Sequence, residues 1–440
     1  MKNFLEEIEN RILVHDGSKG YLLQKLGLRG GECGEYWNLT NQEAVRNVYR
    51  AYLEAGSDVI QTNTFPGNRV NLQKYALEEK TYEINYRGTK LAREAAGSKA
   101  FVSASIGPTG MFFEPSGELN FDKAYEIYKE QVKAVADGGA DIINFETFTD
   151  LAEMRAALLA AKDQSDLPVI CSMAFENNGR TLMGTEPFVA VTVLKSLGAD
   201  LVGTNCSFGP EQLIGIAKAM YEAGGGYLSV KPNAGLPQVI GDSVSYTETA
   251  GHFAELAAEF VKYGARLIGG CCGSTPDFIK ALKRKVSGLS PVHVGEWNKN
   301  VITSNVRYKE VSQLDWKNTG RLDASMEDVL SEALRRNDLT CIEDMALDLA
   351  SEGFDAVFIN MDAVNGSTDL LRNIVDKVQW YVRDPLILET SNPEALDKAL
   401  KIYRGVAGVI TGSAPSPKQA ELKAVAAKYG SILLEPPVLG

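Results

Sequence analysis

One rhythm constrains this chain more than anything else in it. A short apolar, β-branched run ends in polar residues at a turn, a stretch of helical period follows, and the unit recurs. Eight such runs can be read in order. They end near His15-Asp16-Gly17, Gln61-Thr62-Asn63-Thr64, Ser103-Ala104-Ser105-Ile106-Gly107 and Asn144-Phe145-Glu146-Thr147. The series continues at Cys171-Ser172-Met173, Thr204-Asn205-Cys206, Val230-Lys231-Pro232-Asn233 and Gly269-Gly270-Cys271. Amphipathic stretches such as 124–137 and 252–262 lie between them. Several strands are announced by Gly56-Ser57-Asp58, Gly139-Ala140-Asp141, Gly198-Ala199-Asp200 or Gly264-Ala265-Arg266, where glycine serves as the stop signal of the preceding helix. Eight β/α units in about 285 residues predict an α/β fold, a (β/α)8 TIM barrel.

Barrels of this kind gather their chemistry at the C-terminal ends of the strands. Asp16, Asn63, Glu146, Asn205, Cys206, Asn233, Cys271 and Cys272 all fall there. Three cysteines at two strand ends suit a zinc site of three thiolates with its fourth position open, as a catalytic zinc requires. Adjacent Cys271 and Cys272 share a metal only if the backbone turns between them, since neighbouring strand residues face opposite sides. Gly269, Gly270 and Gly273 are expected to permit that bend. An aliphatic thiol is only slightly ionised at neutral pH, and coordination removes its proton. Thiolate ligands keep a bound substrate sulfur electron-rich, whereas a three-histidine site favours water activation. His15, His252 and His293 are the only histidines, without metal-motif spacing, so the pattern favours sulfur alkylation over hydrolysis.

Composition narrows the partners. With 440 residues, 45% of them hydrophobic and 23% charged, the chain can build one large barrel and a smaller unit. A net charge of −12 without a basic patch argues against nucleic acid and anionic membranes. The first residues lack the apolar core of a signal peptide, and no apolar run approaches the roughly 20 residues of a membrane span. Six cysteines do not form a disulfide framework, and a cytoplasmic location is expected.

At these residues the chain resembles the zinc-dependent homocysteine S-methyltransferase family, and within it the homocysteine-binding module of cobalamin-dependent methionine synthase. The matching words are Asp16-Gly17, Thr62-Asn63-Thr64-Phe65, Ile106-Gly107-Pro108-Thr109-Gly110 and Phe145-Glu146-Thr147-Phe148. They continue with Gly179-Arg180-Thr181-Leu182, Asn205-Cys206-Ser207-Phe208-Gly209-Pro210, Pro232-Asn233-Ala234-Gly235 and Gly269-Gly270-Cys271-Cys272-Gly273. The resemblance implies Cys206, Cys271 and Cys272 as zinc ligands and Asn233 in the fourth position when substrate is absent. It implies that Glu146 faces the homocysteine amino group, that Asp16 and the amides of Gly17 and Ser18 hold the amino-acid end, and that Asn205 belongs to the substrate site. Alternative roles are a helix cap for Asp16, an arginine partner for Glu146 and a turn for Asn233.

The barrel is expected over 1–287, a linker with a short strand at Val301-Ile302 over 288–325, and a partial α/β domain over 326–440. In that domain helices at 326–336, 342–352, 368–381, 393–403 and 417–429 alternate with strands ending at Phe358-Ile359-Asn360, Ile387-Leu388-Glu389, Val409-Ile410-Thr411 and Leu433-Leu434-Glu435. The order of elements, with Asn360, Glu389 and Ser391, is distantly similar to the first half of a pterin-binding barrel. Phe358 and Glu389 stand where pterin-contacting aspartates are expected, which counts against folate. Such a half packs on the first barrel or pairs with a second copy as a homodimer. No Asp-x-His-x-x-Gly corrinoid motif is present, so the methyl group is expected from a separate methylcobalamin protein. The alternatives are a free donor, S-methylmethionine or betaine, and a non-catalytic scaffold that binds a corrinoid partner.

Overall fold

The computed structural model describes residues 3–240, 243–326, 328–336, 338–364, 368–411 and 415–435. The chain divides into two compact units, residues 1–183 with 199–297, and residues 184–198 with 298–440.

The first unit holds β1 (Leu13–Val14), β2 (Val59–Gln61), β3 (Phe101–Ile106), β4 (Ile142–Phe148), β5 (Val169–Met173), β6 (Leu201–Asn205) and β7 (Leu228–Lys231). A hairpin of β8 (Pro237–Ile240) and β9 (Ser243–Tyr246) precedes β10 (Ala265–Ile268). The eight expected runs form one parallel sheet in the order β1-β10-β7-β6-β5-β4-β3-β2. Its ends meet through a parallel bridge between His15 and Val59, and the Asp16 amide donates to the Val59 carbonyl at 3.0 Å. The TIM barrel read from the sequence is therefore present.

Inside the barrel the chemistry changes with height. Phe4 and Ile8, from helix Phe4–Asn10, pack on Leu13, Val59, Ile142, Ile170, Leu201 and Leu267 and plug the base. Burying each such side chain contributes about 1.5–3 kcal/mol. Strand side chains alternate between faces, so the face that carries Ile142 goes on to Asn144 and Glu146, and that of Ile170 to Ser172. The interior thus turns polar toward the C-terminal mouth. Gly203 in β6 is required there, because a Cβ would lie 2.1 Å from the Ser229 carbonyl oxygen.

In the second unit the segment after 297 opens with an antiparallel hairpin, β11 (Val301–Thr303) and β12 (Tyr308–Glu310). A five-stranded parallel sheet follows, β13 (Thr319–Asp323), β14 (Ala356–Asn360), β15 (Leu386–Glu389), β16 (Gly408–Ile410) and β17 (Ile432–Leu433), in sequential order. Ile302, Ala356, Phe358, Ile387 and Ile410 form its core. The segment 288–325, read as a linker with a short strand at Val301-Ile302, contains that strand as β11 together with β12 and β13, and β13 gives the sheet five strands where four were expected. Strand β13 escaped notice because Thr-Gly-Arg-Leu-Asp has weak strand propensity. Gly320 is there for space, since a Cβ would come within 2.8 Å of Leu349 and Phe354, and Arg321 lies over the Phe358 ring at 5.4 Å. Helix Pro187–Ser196 belongs to this unit, with Phe188 and Tyr308 ring centroids 4.2 Å apart. Among the described residues no helix is long and apolar enough to cross a membrane.

Candidate metal and substrate site

The sulfurs of Cys206, Cys271 and Cys272 lie within 4.8 Å of one another, and those of Cys206 and Cys272 are 3.8 Å apart. Cys206 follows β6 with φ 63°, and Ser207 has φ 58°. Left-handed backbone costs an L-residue about 1–2 kcal/mol, and here it turns the chain where Cys206 joins the other two thiols. The turn is pinned by the Cys206 amide on the Lys231 carbonyl at 3.0 Å. The Cys271 amide donates to Pro232 at 2.7 Å, and the Ala234 amide to Cys272 at 2.9 Å. Gly269 and Gly270 act differently from expectation. Neither has positive φ; Gly273 does, at 78°. A Cβ on Gly269 would sit 2.6 Å from that of His15, and one on Gly270 2.2 Å from Ser274 Oγ, so they are glycine because the loop packs against β1 and its own turn.

The trio's electrostatics fit a divalent cation. Hydrogen bonds from Cys271 and Cys272 push the Cys206 thiol down to about 3. The Cys206 anion then pushes Cys271 up to about 11, and Cys272 further up. Alone, the cluster carries one charge and keeps its remaining protons. All three become thiolates only when a cation balances them, and three clustered thiolates are a donor set that zinc favours.

Beside the trio lies a cavity of about 390 Å3, with Gly17, Ser18, Lys19, Glu35, Gln61, Ser105, Glu146 and Thr147 among its lining residues. Glu146 accepts from Gln61 Nε2, Ser105 Oγ and Lys231 Nζ, so its ionic partner is a lysine and not the arginine considered above. Asp16 stands behind the wall. Its carboxylate accepts from Lys19 Nζ at 2.8 Å and the Gln61 amide at 2.9 Å, and pairs with His15 Nδ1 at 2.9 Å. Burial raises its pKa, but Lys19 and His15 outweigh that and hold it below the usual range. It does not cap the next helix. Ser18 does, accepting from the Tyr21 amide at 3.4 Å, while the Ser18 amide is engaged by the Ser274 carbonyl at 3.0 Å.

Asn205 Oδ1 accepts from the Thr147 amide at 2.7 Å, and its Nδ2 lies 3.7 Å from Cys271 Sγ. Asn233 Oδ1 accepts from the Cys272 amide at 3.1 Å. Neither asparagine lines the cavity; both hold the cysteine loops in place.

Sequence reasoning overlooked Lys19, Glu35, Gln61, Ser105 and Tyr246. Lys19 lies just past the word Asp16-Gly17, and Glu35 falls in the stretch between that word and Thr62-Asn63-Thr64-Phe65. Tyr246 comes from the β8–β9 hairpin. Burial and the three thiols push its hydroxyl up to about 12.

The homocysteine S-methyltransferase family model matches residues 13–286. A methionine synthase from Mycobacterium leprae is 33% identical over 303 residues, 65% of this chain and 25% of that protein. One from Mycobacterium tuberculosis is 28% identical over 98% of this chain and 38% of that protein. The chain thus spans less than two fifths of either relative. Among solved structures, the homocysteine methyltransferase MmuM from Escherichia coli superposes with a TM-score of 0.55 in its oxidized form and 0.54 in its metallated form. Identity is 22% in both cases, with 64% and 63% of this chain and 98% and 97% of that one covered, and the likeness is one of fold. With 274 consecutive positions of the barrel matched, from 13 to 286, this chain belongs to the homocysteine S-methyltransferase family.

Proposed function

We propose that the chain is a zinc-dependent methyltransferase that converts homocysteine to methionine, with the methyl group coming from a methylcorrinoid protein. The observation that carries this reading is the three-sulfur cluster at the edge of a cavity that also holds charged and polar side chains, on the strand ends where the family match falls. Cys206, Cys271 and Cys272 would hold the metal, and Asn233, whose Oδ1 accepts from the Cys272 amide, would give up that bond to serve the remaining position. Zinc bound there would draw the proton from an incoming thiol and leave its sulfur nucleophilic.

The chain's own groups prepare that encounter. Asn205 directs an amide N–H toward Cys271 Sγ and fixes Thr147 on the cavity wall. Asp16 ties Lys19 to the seam where the barrel closes. Lys231, Gln61 and Ser105 hold Glu146 on the side that the amino-acid end would reach. A methylcorrinoid donor is favoured by likeness to methionine synthases along 98% of the chain, the second unit included. The test is methionine formation by the zinc-loaded full chain from homocysteine and, in separate reactions, methylcobalamin, a methylated corrinoid protein, methyltetrahydrofolate, betaine and S-methylmethionine. Product with the corrinoid donors and its loss in Cys271→Ser are expected. Product only from betaine or S-methylmethionine would overturn the donor, and none from any donor the whole reading.

A further inference from the structure

Above the apolar plug the barrel interior changes character within one step. Side chains alternate along each strand, so two residues beyond the plugged level the same face carries His15, Gln61, Ser103, Asn144, Ser172 and Ser229. Gly203 and Gly269 complete the ring. A Cβ on Gly203 would lie 3.0 Å from Ser172 Oγ, and one on Gly269 2.6 Å from that of His15, which sets these neighbours on one level. The ring holds no large apolar side chain.

It is also buried and short of partners. His15, Ser103, Asn144, Ser172 and Ser229 are at most 1% exposed. Gln61 is engaged by Glu146. Among the described residues, six polar atoms of the other members meet no hydrogen-bond partner: His15 Nε2, the hydroxyls of Ser103, Ser172 and Ser229, and both Oδ1 and Nδ2 of Asn144. His15 Nδ1 faces the Asp16 carboxylate at 2.9 Å, so the imidazole proton sits there and Nε2 is left as an acceptor. Each buried polar atom left dry destabilises the folded state, and six together would cost much of a domain's ordinary margin. A water molecule donates and accepts, so it serves an imine nitrogen, a hydroxyl and an amide at once.

We propose that this level of the barrel is a binding site for internal water, a cluster of about two molecules held by His15 Nε2, Asn144 and the three serines. None of these five residues lines the cavity beside the cysteine trio, so the water site is distinct from that cavity. It lies beneath it. Asn144 precedes Glu146 on the same face of β4, and Gln61 reaches from the water level to the Glu146 carboxylate. The cluster is the floor over which Glu146 is held.

The test is oxygen-17 magnetic relaxation dispersion of the full chain, which counts waters held for longer than the protein takes to tumble. Asn144→Leu keeps the side chain's size and removes two of the six polar atoms. It should lose about one or two long-lived waters relative to wild type, with near-UV circular dichroism unchanged. An unchanged count in the folded variant would overturn the proposal. Should Asn144→Leu not fold, nitrogen-15 NMR of wild type decides, because the other two histidines, His252 and His293, are exposed. His15 Nε2 should resonate upfield of a bare imine nitrogen, as an acceptor that holds a hydrogen bond does. The signal of a bare nitrogen would overturn the proposal as well.

Discussion

Lys231 Nζ donates to Glu146 Oε2 inside the barrel, with the two side chains only 1% and 5% exposed. A pair so far from water repays its desolvation only when both partners are present. Lys231→Met should therefore lower stability by about 3–5 kcal/mol, because a buried carboxylate loses its counter-charge. Adding Glu146→Gln should recover much of that loss, since the amide needs no cation. Urea unfolding of the two single variants, the double variant and wild type measures the coupling. Equal losses that simply add would show the pair to be energetically independent.

Glu35 makes stability depend on pH. Its folded value of about 7 lies above the ordinary 4.5, so the folded chain holds this proton more tightly than the unfolded one. The contribution is complete below the unfolded value and is lost as pH rises through about 7. Glu35→Gln removes that titration. From pH 5 to pH 8 the variant should gain on wild type by up to about 3 kcal/mol, read from urea midpoints at the two pH values. A gap that stays constant across the range would place Glu35 in contact with water.

Metal uptake should release protons in a defined number. Cys206 is held as a thiolate, while Cys271 and Cys272 keep their protons at neutral pH. Zinc binding at pH 7 should then liberate about two protons per ion, followed with an indicator in weak buffer. Release near zero would mean that fewer than three sulfurs bind.

The barrel was legible because each strand pairs a continuous apolar run with a polar end, a pattern that survives without knowledge of neighbours. Strand β13 was not, since Gly320 and Arg321 make sense only beside Phe354 and Phe358. The cysteine trio was legible as chemistry. The left-handed backbone at Cys206 and Ser207 was not, because nothing local requires it and the Lys231 carbonyl pins it from another strand. Lys231 itself read as a strand-end residue with no role. Its meaning comes from Glu146, 85 positions earlier, across the barrel interior.

The most direct test of the central claim is zinc K-edge X-ray absorption of the loaded full chain, with and without homocysteine. Three sulfur ligands from Cys206, Cys271 and Cys272 are predicted at first, and a further one when homocysteine is added. A sulfur count below three, or one that homocysteine leaves unchanged, would contradict the account.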